Sequence, residues 1–286
     1  MHCPSQRLAD IRFVTDIFTL VTGVAANTAL LWLFLRERKT LSASQVLGLN
    51  LVVMDLVYLC IMPVSLIYES AELGQVNLSD SSAIVWQDSN TPHQLDVARD
   101  VFSMFNLIGC PMLLACMCTE RYLAVVRPVL YLKLRKWEYR MAVSTVVWCA
   151  TLTFCLATGL VNNITFIMIP VSIIDSCLFF LMLACLGGVV WSLWQPSPAH
   201  TTIGNQACSQ SPFKRRAVGN VLVVVVPAVI SYLPVVAMVP LIVYLIYWDI
   251  VLEEALCYVF ESASMFPRLG LLIGPLFYLS KARQMC

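Results

Sequence analysis

Seven stretches of this chain stay apolar far longer than a soluble fold requires: Phe13–Leu35, Val46–Tyr68, Val97–Val125, Met141–Val161, Ile164–Trp194, Ala217–Trp248 and Ala255–Leu279. A helix needs about 20 apolar residues to cross the hydrocarbon of a bilayer, and its backbone must be bonded within the segment. Every stretch reaches that length. Strands of a membrane barrel would alternate apolar and polar residues with period two, and these stretches do not. Composition agrees, with 59% of residues hydrophobic and 12% charged, against about 25% charged in a soluble domain. An ordinary soluble enzyme and a disordered chain are excluded. The net charge of +1 lacks the basic excess of a nucleic-acid binder. The expected fold is all-α, a single seven-transmembrane helix bundle over residues 1–286.

Basic residues set the orientation. With the N-terminus outside, 14 of the 18 Lys and Arg fall inside: Arg36, Arg38, Lys39, Arg121, Arg127, Lys133, Arg135, Lys136, Arg140, Lys214, Arg215, Arg216, Lys281 and Arg283. Such an excess marks the cytoplasmic face. The sequons at Asn77 and Asn163 both fall in expected outer loops and are candidate glycosylation sites. The first span is expected to act as the insertion signal, since the N-terminus lacks a basic start followed by an apolar core. A plasma-membrane, multi-pass protein is expected.

Short motifs add what topology cannot. In order along the chain stand Gly23-Val24-Ala25-Ala26-Asn27, Asn50-Leu51-Val52-Val53-Met54-Asp55, Glu120-Arg121-Tyr122, Trp148, Ser231-Tyr232-Leu233-Pro234 and Gly274-Pro275-Leu276-Phe277-Tyr278. Each alone is weak, but six in order on the matching spans resemble the rhodopsin-like (class A) G-protein-coupled receptors, as a divergent member. The resemblance implies a receptor that binds an extracellular ligand and activates a heterotrimeric G protein as the sixth span moves. It implies coupling and switch roles for Glu120, Arg121, Tyr122, Tyr232, Pro234, Pro275 and Tyr278. Neither a cofactor nor a metal is expected, and the family is not one of enzymes. The alternatives are a polytopic transporter or channel, or a receptor-like protein whose signalling is lost or constitutive. A transporter would favour internal repeats, and the two halves show none.

Departures from the family pattern direct the remaining expectations. Lys214-Arg215-Arg216 stand at the inner end of the sixth span, where many members carry an acid that restrains the arginine. The interhelical salt bridge to Arg121 is therefore expected to be absent and basal signalling raised. Arg121 is left to pair with its neighbour Glu120 or to meet a partner. Asp55 is expensive in mid-membrane, at about 2.5–3.5 kcal/mol on insertion scales. The resemblance implies a sodium site there, but Gly270, Leu271 and Gly274 replace polar partners, with Asn106 and Cys110 as weak substitutes. Arg268 lies 10 residues before Tyr278, and Asp55 lies 10 residues after Gln45. The two share a depth, so Arg268 is expected to take the cation's place against Asp55. The alternatives are a neutral Asp55 bonded to Asn27 and Asn50, and an Arg268 that reaches up to an anionic ligand. The polar core is then Asn27, Asp55, Asn106 and Arg268.

Arg99, Ser103, Asp175 and Glu261 are candidate ligand residues in the outer third, where a seven-helix bundle opens a central cavity. Their bland reading is interfacial snorkelling or local pairing. Ser103 stands where amine receptors carry Asp, and Tyr232 replaces the usual tryptophan. The first argues against a monoamine ligand; the second, together with Ser231, resembles the purinergic and lipid-receptor branch, which often binds anions. The family's usual outer disulfide has no partner here, since Asp96 occupies the expected cysteine position. Cys3 and Cys257, both outside, are suggested as a replacement. The segment Glu69–Asp96 is long and acidic, and is expected to form the outer lid. The basic inner loops offer a surface to a G protein or to anionic membrane lipid; nucleic acid is not an expected partner.

Overall fold

A computed structural model of the chain describes residues 6–36, 45–77, 91–134, 136–161 and 165–194. Across the sixth and seventh expected spans it describes residues 226, 229–234, 236–238, 244, 258–259, 262–263, 265–268, 270–272 and 275. The ordered elements are α1 (Gln6–Arg36), α2 (Gln45–Asn77), α3 (Thr91–Met104), a π turn (Phe105–Gly109), α4 (Cys110–Val126), α5 (Pro128–Leu134), α6 (Trp137–Leu160) and α7 (Thr165–Trp194). All are helical. Five helices among the described residues are long and apolar enough to cross a membrane. They correspond to the first five expected spans, the third being α3, the π turn and α4 run together.

Burial follows the membrane pattern rather than the soluble one. Met54, Leu59, Met104, Ile108, Leu113, Val147 and Met182 are fully enclosed where α2, the third span, α6 and α7 meet. Ile67, Leu160, Phe166 and Trp191 are exposed on the outside of the bundle. In water such a surface would drive association, whereas in lipid it needs no cover. The principal packings are α1 on α2, α4 on α7 and α3 on α6. The third span is the axis of the bundle, touching α2, α6 and α7.

Three local features are not legible as elements in the sequence. First, α2 runs on to Asn77 rather than ending near Tyr68. Its last turns are rich in Glu, Ala, Leu and Gln, which carry a helix past the lipid without needing an apolar face. With α3 beginning at Thr91, the expected lid from Glu69 to Asp96 is helical at both ends. Second, Arg127 leaves the helix (φ −132°, ψ 66°) because a residue before proline is barred from the α region. Pro128, with fixed φ and no N–H to satisfy, then opens α5.

Third, the π turn has a proline behind it. Pro111 has no N–H, and its ring would strike the carbonyl four residues back in an unbroken α-helix. The chain instead widens over Phe105–Gly109, where the Cys110 N–H reaches the Phe105 carbonyl five residues back. Gly109 closes the turn at a tight crossing. A Cβ there would lie 2.6 Å from Met54 Sδ and 3.1 Å from Thr151 Oγ1. Glycine lets three spans meet at that level.

Candidate functional site

Several polar side chains each tie a different pair of helices. Asn27, fully buried on α1, donates from Nδ2 to its own Gly23 carbonyl at 3.0 Å and to the Leu271 carbonyl at 3.1 Å, joining α1 to the seventh span. Trp148 on α6 donates from Nε1 to Asn50 Oδ1 at 2.8 Å, joining it to α2. Tyr232 on the sixth span donates from its hydroxyl to the Asn106 carbonyl at 3.3 Å, within the π turn. The widened turn thus serves the site directly, since it presents a backbone oxygen to the sixth span.

Asp55 is buried on α2, and Cys110 Sγ, the first residue after the π turn, donates to its Oδ1 at 3.1 Å. The expected pairing of Asp55 with Arg268 is not what forms. Arg268 is ion-paired to Asp16 on α1 through a short charge-assisted contact. Nor does Asp55 take the alternative partners Asn27 and Asn50, which bond to Leu271 and to Trp148 and Val46. The observed partner lies 11 residues N-terminal of Asn27 on α1, so depth as well as direction departs from the expectation. Asn27 is level with Leu271, so Arg268 stands just N-terminal of that level and extends along α1 toward its N-terminal end. Asp55, turned into the bundle against the third span, lies on another side.

At the C-terminal end of the third span, Glu120 has a partner on α6. Glu120 Oε1 accepts from Arg140 Nη2 on α6 at 2.5 Å, with both side chains largely enclosed. The anticipated Glu120–Arg121 pair is thereby displaced, and among the described residues no acid pairs with Arg121. The Tyr122 ring lies against the backbone of Gly188 on α7, close enough that no Cβ would fit without moving it.

The candidate ligand residues make separate local contacts among the described residues. Arg99 pairs loosely with Asp96 at 3.6 Å, both side chains more than half exposed. Ser103 donates from its hydroxyl to the Asp100 carbonyl at 2.7 Å. Asp175 is buried on α7, and its Oδ1 finds no hydrogen-bond donor among the described residues. Pro234 and Pro275 are helical, Pro275 buried. Glu261, Tyr278, Asn163, Cys3 and Cys257 lie outside the described residues, as does the side chain of Asn77, the last residue of α2.

Sequence reasoning misses Asp16 and Arg140. Asp16 carries a signal, as a carboxylate inside an apolar span demands a partner. Arg140 carries none, because an arginine at the inner edge of a span reads the same whether it snorkels or pairs.

Comparison with known proteins fits this arrangement. Residues 26–168, half of the chain, match the 7 transmembrane receptor (rhodopsin family). The chain belongs to that family. Its Glu-Arg-Tyr segment, Asp55, Asn27 and Trp148 all fall within the matched residues. Among curated relatives, purinoceptor 1 of Gallus gallus is 25% identical over 241 residues, covering 76% of this chain and 60% of the relative. Purinoceptor 6 of Mus musculus is 31% identical over 160 residues, 51% of this chain and 42% of the relative. Lysophosphatidic acid receptor 5 of Bos taurus is 27% identical over 163 residues, 57% of this chain and 40% of the relative. The chain thus spans about 60% of the length of the first of these. Members of the rhodopsin family are multi-pass membrane receptors, not enzymes, and this chain is a divergent one.

Proposed function

We propose that the chain is a seven-span receptor with its N-terminus outside the plasma membrane, forming one domain over residues 1–286. It binds an extracellular ligand and activates a heterotrimeric G protein by movement of the sixth span. The observation that carries this reading is Arg121. It sits at the inner end of the central span with its neighbouring acid held by Arg140, so its charge is available to a partner. Tyr232, Pro234, Pro275 and Tyr278 supply the moving half, and the Tyr232–Asn106 bond is the contact between that half and the central span.

The ligand is an anion, in keeping with relatives named for purines and for lysophosphatidic acid. Arg99 and Ser103 are the residues assigned to the anionic group, and Asp175 and Glu261 to hydrogen-bond donors elsewhere on the ligand. Arg268 is a poorer anion receptor, because Asp16 already neutralises it. Glycans on Asn77 and Asn163 and a Cys3–Cys257 bridge complete the outer face. Arg121→Ala at unchanged surface expression is expected to abolish G-protein activation in a second-messenger panel across G-protein classes. Activation that survives it rejects the reading.

A further inference from the structure

Asp175 lies 10 residues beyond the start of α7 at Thr165, about 15 Å along the helix. It is 5% exposed, and its Oδ1 has no hydrogen-bond partner among the described residues. No charge among those residues acts on it either. An acid at such a depth faces the bundle and takes a partner, because lipid offers none.

Its surroundings accept hydrogen bonds and do not donate them. Tyr232 on the sixth span lies within electrostatic reach of Asp175, but its hydroxyl proton is directed to the Asn106 carbonyl. That carbonyl needs the proton. Its donor in an α-helix would be the Cys110 N–H, which goes instead to Phe105. The next residue, Pro111, has no N–H to offer. Tyr232 is therefore not free to serve Asp175. Asn106 is 4% exposed, and its Oδ1 is a second buried acceptor without a partner among the described residues. The π turn that carries Asn106 packs against α7.

The chain holds no cation for this place. Residues 100–120, 141–194 and 217–267 contain no Lys, Arg or His, and they run through the third to sixth spans. Arg99, at the outer end of the third span, is more than half exposed and paired to Asp96, and Arg268 is paired to Asp16.

We propose that Asp175 and Asn106 form a subsite for an ammonium group of the extracellular ligand. The inference rests on the receptor reading above and narrows its ligand. An ammonium has three donors and no acceptor, which suits two oxygens that lack donors, and it brings the opposite charge. Ser103, assigned to the anionic group, stands one turn outward of Asn106, about 5 Å along the axis. The ligand is therefore a compact zwitterion, its ammonium a few bonds from its phosphate or carboxylate.

The test is thermal unfolding of the purified whole chain in detergent at constant ionic strength. Methylammonium chloride is expected to raise the midpoint by about 2 °C above potassium chloride. Asp175→Asn loses that rise, whereas Asp55→Asn, which removes another buried acid, keeps it. O-phosphoethanolamine joins an ammonium to a phosphate through two carbons. It is expected to act at concentrations about tenfold below those of methylammonium or ethyl phosphate. Superimposed midpoints in methylammonium and potassium overturn the inference. So does a rise that survives Asp175→Asn or is lost in Asp55→Asn, and so does O-phosphoethanolamine no more effective than ethyl phosphate. If Asp175→Asn does not fold, tetramethylammonium chloride decides on the wild-type chain. It carries the charge without an N–H, and a rise equal to that in methylammonium overturns the inference. These readouts involve no G protein, so their failure leaves the receptor reading to be judged by Arg121→Ala.

Discussion

Arg268 on the seventh span is ion-paired to Asp16 on α1, with side-chain exposures of 22% and 14%. With the Asn27–Leu271 hydrogen bond, it gives the seventh span two attachments to α1, one charged and one neutral. Replacing either charge by Ala removes this ion pair from a largely enclosed site. We expect Arg268→Ala or Asp16→Ala to lower stability in detergent by about 2 kcal/mol, below the loss from a fully buried pair. Surface expression should fall in parallel. The charge-swapped double variant, Asp16→Arg with Arg268→Asp, should recover most of the loss. Absence of recovery would mean the two side chains act separately.

The Asp55–Cys110 contact joins a thiol donor to a carboxyl oxygen. An amide oxygen accepts equally well, so the stability of Asp55→Asn is expected within about 0.5 kcal/mol of the wild type, whereas Asp55→Ala removes the acceptor and is expected to cost about 1–3 kcal/mol. Thermal scans in sodium and potassium chloride should superimpose. A stabilisation specific to sodium would show a bound cation at Asp55 instead.

Gly109 and Gly187 make a matched pair of probes. A Cβ at Gly109 runs into Met54 and Thr151, whereas a Cβ at Gly187 meets nothing within 4 Å. Gly109→Ala should therefore destabilise by about 1–3 kcal/mol through overpacking. Gly187→Ala should be neutral or stabilising by up to about 1 kcal/mol, the helix preference of Ala over Gly. Equal effects at the two positions would dismiss the close crossing.

Trp148 and Asn50 provide a neutral test of the α2–α6 contact. Trp148→Phe keeps the ring near Phe105, whose centroid lies 6.0 Å away in an edge-on arrangement, but removes the N–H. The loss should be about 1 kcal/mol. Adding Asn50→Ala should then cost less than it does alone, because the shared bond is already gone.

Length and apolarity place the first five spans within a few residues, because the bilayer thickness imposes them. Charges inside apolar spans are equally legible, and they mark Asp55 and Arg268 as groups needing a partner. Rotation about the helix axis is not legible. Depth alone therefore matches Arg268 to Asp55 rather than to Asp16, and adjacency alone leaves Glu120 to Arg121 rather than to Arg140. Secondary structure outside the lipid is also hidden. The last turns of α2 and the short α5 are set by proline and helix propensity, and hydropathy does not report either.

The widened turn before Pro111 changes how positions along the central span are counted. A bond to the fifth residue back holds one residue more than an α-turn, and each residue turns an α-helix by about 100°. Counting outward from Arg121 as though the helix were uninterrupted therefore lands on the wrong side of the axis beyond Cys110. Phe102 takes the direction that an unbroken helix would give to Ser103. A ligand-contact survey of that half should therefore take Phe102 together with Ser103.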